Sequence, residues 1–193
     1  MTRIVSVLLC SVVVTGFVAT GWGAELTRTC GSGHTIPPVV AQSPGWDSVA
    51  SSPTPSGRSA IGWIADYVYL FGNEDYPGTA LYWHVPTETW GQSDPCPSPG
   101  YNWAGAVAGG ELYLLGRFDG TNPTNEFWKF TPDGTGGGTW TRLADYPLAV
   151  TMVAVAADEA NQMIYAAGGY GVAVCRQAYV YSINSDAWGS IPS

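Results

Sequence analysis

Charge is scarce in this chain, and lysine almost absent. Asp, Glu, Lys and Arg make up 11% of the 193 residues, seven basic residues stand against fifteen acidic ones, and Lys129 is the single lysine. With no basic patch to displace counterions from phosphates, nucleic acid is excluded as a partner. Histidine is equally rare: His34 and His84 are the only two, and the spacing of the four cysteines supplies no zinc site. The expectation is therefore no metal and no cofactor. No Ser/His/Asp arrangement and no paired-carboxylate motif can be identified from spacing. Asn122-Pro123-Thr124 fails as a glycosylation acceptor because proline fills its middle position, and no other Asn-x-Ser/Thr occurs.

Long apolar runs are missing too, except at the start. Met1-Thr2-Arg3 leads into 21 uncharged residues, Ile4 to Ala24. A short basic segment, an apolar stretch and small residues at Ala19, Gly21, Gly23 and Ala24 read as a secretory signal over 1–24, cleaved between Gly21 and Glu25. The alternative is an uncleaved anchor, since 21 residues just span a bilayer. Cleavage predicts a secreted or periplasmic protein with no membrane contact, six basic against fifteen acidic residues, and a formal charge of −9. The mature chain then keeps Cys30, Cys96 and Cys175. An odd number in an oxidising compartment leaves at least one thiol free, bonded to another chain, or paired outside this sequence.

What is abundant is tryptophan at regular spacing. Trp46, Trp90, Trp140 and Trp188 lie 44, 50 and 48 residues apart, and Tyr69, Tyr113 and Tyr165 follow the preceding ladder tryptophan by 23, 23 and 25. Each tyrosine sits in an apolar run stopped by glycine: Gly72, Gly116, and the pair Gly168-Gly169. Before each comes a strand of small or alternating residues (Ser59 to Ala65, Ala104 to Ala108, Met152 to Ala156). After each comes an aromatic strand and a turn leading to the tryptophan. Trp83 and Tyr181 precede their tryptophan by seven residues and Phe130 by ten, so the Asp133 to Gly138 turn holds three extra residues. Units of this length repeat because one alone cannot bury its apolar face. Each reads as four antiparallel strands, and the ladder aromatics are expected in the core.

This pattern resembles the kelch repeat over about residues 38 to 193. The resemblance implies an all-β, partial kelch-type β-propeller with one blade per repeat: blade 1 at 50–92, blade 2 at 93–142 and blade 3 at 143–193. Ahead of them come a linker at 25–37 and a half-blade at 38–49, in which Val39 precedes Trp46 by seven. Asn73 and Arg117 stand where the family's second glycine would be. Asn73 tolerates a left-handed backbone at modest cost and Arg117 does so poorly. Three blades are fewer than the four to eight that close a ring. The chain is thus expected either to be a piece of a larger propeller or to self-associate, because an open arc exposes an apolar sheet face at each end.

In a four-stranded meander the connections after strands two and four emerge at one end, where function-bearing loops gather. That end carries the candidate ligand-binding residues Arg58, Asp75, Tyr76, Trp103, Arg117, Asp119, Tyr170 and Arg176, aromatics interleaved with charge, which suits a protein or glycan ligand. Thr131-Pro132-Asp133 with Gly138-Thr139-Trp140 faintly resembles the aspartate box of sialidases but is spaced as a turn. The expected function is an exported protein- or carbohydrate-binding module rather than an enzyme. The alternative is the propeller portion of a secreted carbohydrate-active enzyme, galactose oxidase-like or sialic-acid-processing. His34, in the linker, and His84, mid-strand, sit in no setting that singles either out.

Overall fold

The computed structural model describes residues 29–30, 34–35 and 49–192. The chain divides into two compact units, Met1–Ser48 and Val49–Ser193. In the first, β1 (Thr29–Cys30) pairs antiparallel with β2 (His34–Thr35). The expected signal at 1–24, most of the linker, and the half-blade up to 48, Trp46 included, lie outside the described residues.

The second unit is all β. Three antiparallel four-stranded sheets follow one another along the chain, each a meander whose neighbours in sequence are neighbours in space. The first holds β3 (Ala60–Ile64), β4 (Tyr67–Phe71), β5 (Ala80–His84) and β6 (Thr89–Gln92). β7 (Ala104–Ala108), β8 (Glu111–Leu115), β9 (Phe127–Pro132) and β10 (Gly138–Arg142) form the second. The third comprises β11 (Ala154–Asp158), β12 (Met163–Ala167), β13 (Ala178–Ser182) and β14 (Ala187–Ile191). The strand expected from Met152 starts two residues later, because Met152 is left-handed at φ 54° and cannot join a ladder.

The tryptophan spacing resolves into cross-strand pairs. Trp83 faces Trp90, Phe130 faces Trp140 and Tyr181 faces Trp188, with ring centroids 5.4, 4.9 and 5.1 Å apart. Ten residues rather than seven reach the same pairing in the second sheet because the extra three are absorbed in the turn. Each indole also donates its Nε1–H to a backbone carbonyl at the start of its own repeat: Trp90 to Ala50, Trp140 to Asp94 and Trp188 to Ala144, at 2.9, 2.9 and 3.0 Å. Those carbonyls stand four residues after the preceding ladder tryptophan in every case. The last strand of each sheet is thereby clasped to the segment that leads into its first.

Side chains alternate across a strand, so each sheet has a leading face toward the sheet before it and a trailing face toward the sheet after it. At the first junction, Tyr69 and Phe71 on the trailing face of sheet one meet Phe130 at 5.0 and 4.9 Å, and Trp140 closes on Phe71 at 4.8 Å. At the second, Phe127 meets Tyr181 at 4.8 Å and Trp188 at 5.1 Å. Tyr69, Phe71, Leu112, Leu114 and Phe130 are fully buried at the first junction, and Leu115, Phe127, Ile164 and Tyr181 at the second. Each large aromatic removes about 150–250 Å² from water. Two aromatic seams therefore hold three thin sheets together, and β7 lies against both β3 and β11.

Candidate functional site

The β4–β5, β8–β9 and β12–β13 connections meet the segments between sheets at one end of the unit. Glu74 N–H donates to Gly57 C=O at 3.3 Å, Gly100 N–H to Pro77 C=O at 3.1 Å, and Val150 N–H to Thr124 C=O at 3.0 Å. The last two bonds cross from one sheet to the next. Gly72 and Gly116 make this approach feasible: both have positive φ, and a Cβ on either would strike a carbonyl of the following sheet's leading segment, Gly100 O and Val150 O respectively.

The residue after each of these glycines is a clamp. Asn73 is buried, donates its side-chain amide to Pro55 C=O, and accepts from Asp75 N–H at 2.9 Å. Arg117 donates Nη1–H to Pro99 C=O at 2.9 Å, Nη2–H to Ser98 Oγ at 2.6 Å and Nε–H to Glu126 at 3.3 Å. Pro55 and Pro99 occupy the same place in their repeats, nine residues after a ladder tryptophan. Neither Asn73 nor Arg117 is left-handed. The turn is made one residue earlier, by Gly72 at φ 73° and Gly116 at φ 55°, and the freed side chain ties the loop down. In the third sheet, Gly168 and Gly169 are both left-handed and no side chain fills this role.

The eight candidate residues separate into two groups. Trp103 and Arg117 are only 6% and 7% exposed. They meet each other, the guanidinium lying 5.9 Å from the indole centroid, and both are interior to the loop layer. Tyr76 and Tyr170 carry half-exposed rings, and Arg58, Asp75, Asp119 and Arg176 are exposed. Arg58 pairs with Glu74 at 3.0 Å on the surface. Asp119 accepts from Asn122 N–H and Thr121 N–H, both at 2.7 Å, and these bonds hold its carboxyl below the usual range. Tyr170 is fixed by a two-way backbone bridge to Thr151. Arg176 lines an open hollow of about 240 Å³ between the ends of β13 and β14, with Tyr179 and Ile191. The structure thus brings together Trp103 with Arg117, and sets Arg58 against Glu74, rather than gathering all eight in one pocket.

Electrostatics follow the same division. Burial pushes the Glu126 carboxyl up, but hydrogen bonds from Ser98, Trp128 and Arg117 outweigh it and hold the group below its ordinary range. Glu111 repeats the pattern with Lys129, Thr131 and Tyr113 as donors. Tyr69 and Tyr146 are both pushed up to about 12, chiefly by burial. Their hydroxyls have no hydrogen-bond partner among the described residues, whereas Tyr113 reaches Glu111 and Tyr181 reaches Asp186. Cys96, half-buried, has its thiol raised to about 11 by burial; among the described residues neither it nor Cys175 is in a disulfide. His84 stacks on Tyr67 at 4.7 Å and its Nδ1 lies 2.7 Å from Thr87 Oγ1. The Asp133 turn is closed by its own carboxylate, which accepts from Thr135 N–H and Oγ1–H. Among the described residues no three His, Cys, Asp or Glu side chains gather to hold a metal.

Compared with known proteins, the chain matches no family model and no curated sequence.

Proposed function

We propose that this chain is an exported kelch-type propeller segment that serves as an interaction module, taking a protein or glycan ligand on its loop end. One observation carries the reading. Exposed tyrosines and charged side chains sit on loops stitched to the sheets by backbone bonds and by the Asn73 and Arg117 clamps. Rings held ready on a rigid frame lose little entropy when they stack on a sugar or a protein surface.

A glycan array and a pull-down with the intact chain, repeated with Tyr76→Ala and Tyr170→Ala, test this. Saturable binding that weakens at least about tenfold in either variant supports the reading. Binding untouched by both, or none at all, counts against it. Export is tested separately by N-terminal sequencing of the chain recovered outside the cell, with a new terminus expected between Gly21 and Glu25.

A further inference from the structure

The connection after the second strand of each sheet rises to a tip, and the three tips differ in chemistry. In sheet one it is Glu74-Asp75-Tyr76-Pro77-Gly78 and in sheet two Asp119-Gly120-Thr121-Asn122, all of them exposed. Both carry acid. In sheet three the tip is Gly171-Val172-Ala173-Val174, which has no polar side chain, and its two valines are 104% and 83% exposed. Single exposed aliphatics are ordinary on a protein surface. Three in succession at the summit of a loop are the mark of a functional surface.

This exposure does not depend on a neighbouring sheet. Tyr170 and Phe118 hold one place in their repeats: each bridges the residue eleven after a ladder tryptophan, Thr151 or Tyr101, and the far side of its own loop, Val174 or Pro123. Gly168 and Gly116, two residues earlier, are both left-handed. The sheet-two tip stays exposed although sheet three follows it, so the place itself points outward.

The valine tip closes its own backbone bonds. Gly171 N–H donates to Ala173 C=O at 3.0 Å, Cys175 N–H to Gly169 C=O at 2.9 Å, and Gly168 N–H to Gln177 C=O at 3.0 Å. Groups already paired cost little to bring against an apolar medium. Charge around the tip is one-sided: from Ala160 to Ser185 there is no acidic residue, and Arg176 is the single charge. Half-exposed Tyr170 and exposed Arg176 flank the tip in sequence.

We propose that this tip dips into the surface of a lipid bilayer, Val172 and Val174 entering the edge of the hydrocarbon while Tyr170 and Arg176 stay among the headgroups. Aliphatic side chains without donors or acceptors give a protein partner no directional contact, and so projecting a tip gives it no pocket. Insertion needs neither. Tyrosine suits the interfacial layer and a guanidinium its phosphates. With a formal charge of −8 over the chain, the expected host is zwitterionic rather than anionic. The tip offers less apolar surface than one myristoyl chain, which binds at about 10⁴ M⁻¹, so a partition coefficient of about 10³ M⁻¹ is expected. The inference goes beyond the ligand reading, which also calls on Tyr76 in another sheet, and either can fail alone.

Flotation with phosphatidylcholine vesicles at about 5 mM lipid, using the chain recovered outside the cell, tests it; at the expected coefficient most of the wild type floats. Val172→Asp and Val174→Asp, at exposed positions, should each lower the coefficient at least about tenfold. Val172→Leu should raise it about fourfold, the increment for one added methylene. Thr121→Asp, at the sheet-two tip, should leave it unchanged. A wild type that stays in the soluble fraction overturns the proposal and turns the search to a protein pocket. Flotation that survives Val172→Asp, or a loss as large in Thr121→Asp, overturns it as well.

Discussion

Tyr113 and Tyr165 occupy one position in consecutive sheets, with alanines across the ladder from both and a glycine three residues on, and they meet different fates. Tyr113 packs beside Phe127 at 6.0 Å under the third sheet, while Tyr165 lies on an open face. The second sheet is buried on both sides and the third on one. Exposure here is not a property of the residue but of whether the next sheet is present. A repeat encodes half of each of two interfaces, and its apolar content is set by the neighbour it is built to meet.

That contrast can be broken most forcefully at a filled junction. Phe130→Ala removes a fully buried ring touching Tyr69, Phe71 and Trp140, and should cost about 3–5 kcal/mol in chemical unfolding. The matching change on the open face, Tyr165→Ala, should cost less than about 1 kcal/mol when unfolding is followed at low protein concentration. Equal losses would mean that the third sheet's trailing face is covered.

A glycine pair sharpens the comparison. Gly168→Ala meets only the left-handed backbone penalty of about 1–2 kcal/mol. Gly116→Ala adds a Cβ lying 2.6 Å from Val150 O, so its thermal midpoint should fall further than that of Gly168→Ala. A reversed order would refute the assigned equivalence of the two turns.

Titration separates the seams from the loops. For Tyr69 and Tyr146 the folded-state value is raised from 10 to about 12. Their contribution is therefore complete below pH 10 and lost as pH climbs through about 12. Alkaline unfolding should begin in that window, and Tyr69→Phe should delay it. Glu111 and Glu126 act in the opposite sense, because their folded values are depressed. Their contribution is present above the ordinary glutamate range and fades as pH falls through it, so Glu126→Gln should flatten the acid limb of a stability–pH curve. Smallest of all is Tyr69→Phe at neutral pH. It deletes a buried hydroxyl without a partner while keeping the ring, and should change stability by no more than about 0.5 kcal/mol in either direction.

Much of the fold could be read in the sequence because its decisive signal is spacing. The seven- and ten-residue intervals before each tryptophan became the three cross-strand pairs, since a turn of any length returns the chain to the same partner. Four-stranded sheets followed from the same counts. Which face each ring occupies could not be read. It depends on strand register, and a slip of one residue inverts it. The candidate site was less legible. Trp103 and Arg117 lie in loops, where position alone suggests a surface, but Arg117 is drawn inward by carbonyl, hydroxyl and carboxylate acceptors that converge only after folding. One signal was there to find: Asn73 and Arg117, each with a side-chain donor, share a register with Pro55 and Pro99, whose carbonyls receive them.

The clasp between each indole and the carbonyl that opens its repeat has a consequence for how such a chain can change over generations. Every length difference between the three sheets, including the three residues added before Gly138, lies between the two ends of a clasp. The bond is 2.9 Å in the sheet with that insertion and 2.9 Å in the first sheet without it. Loops can therefore be lengthened, shortened or exchanged inside a repeat while its closure is inherited intact.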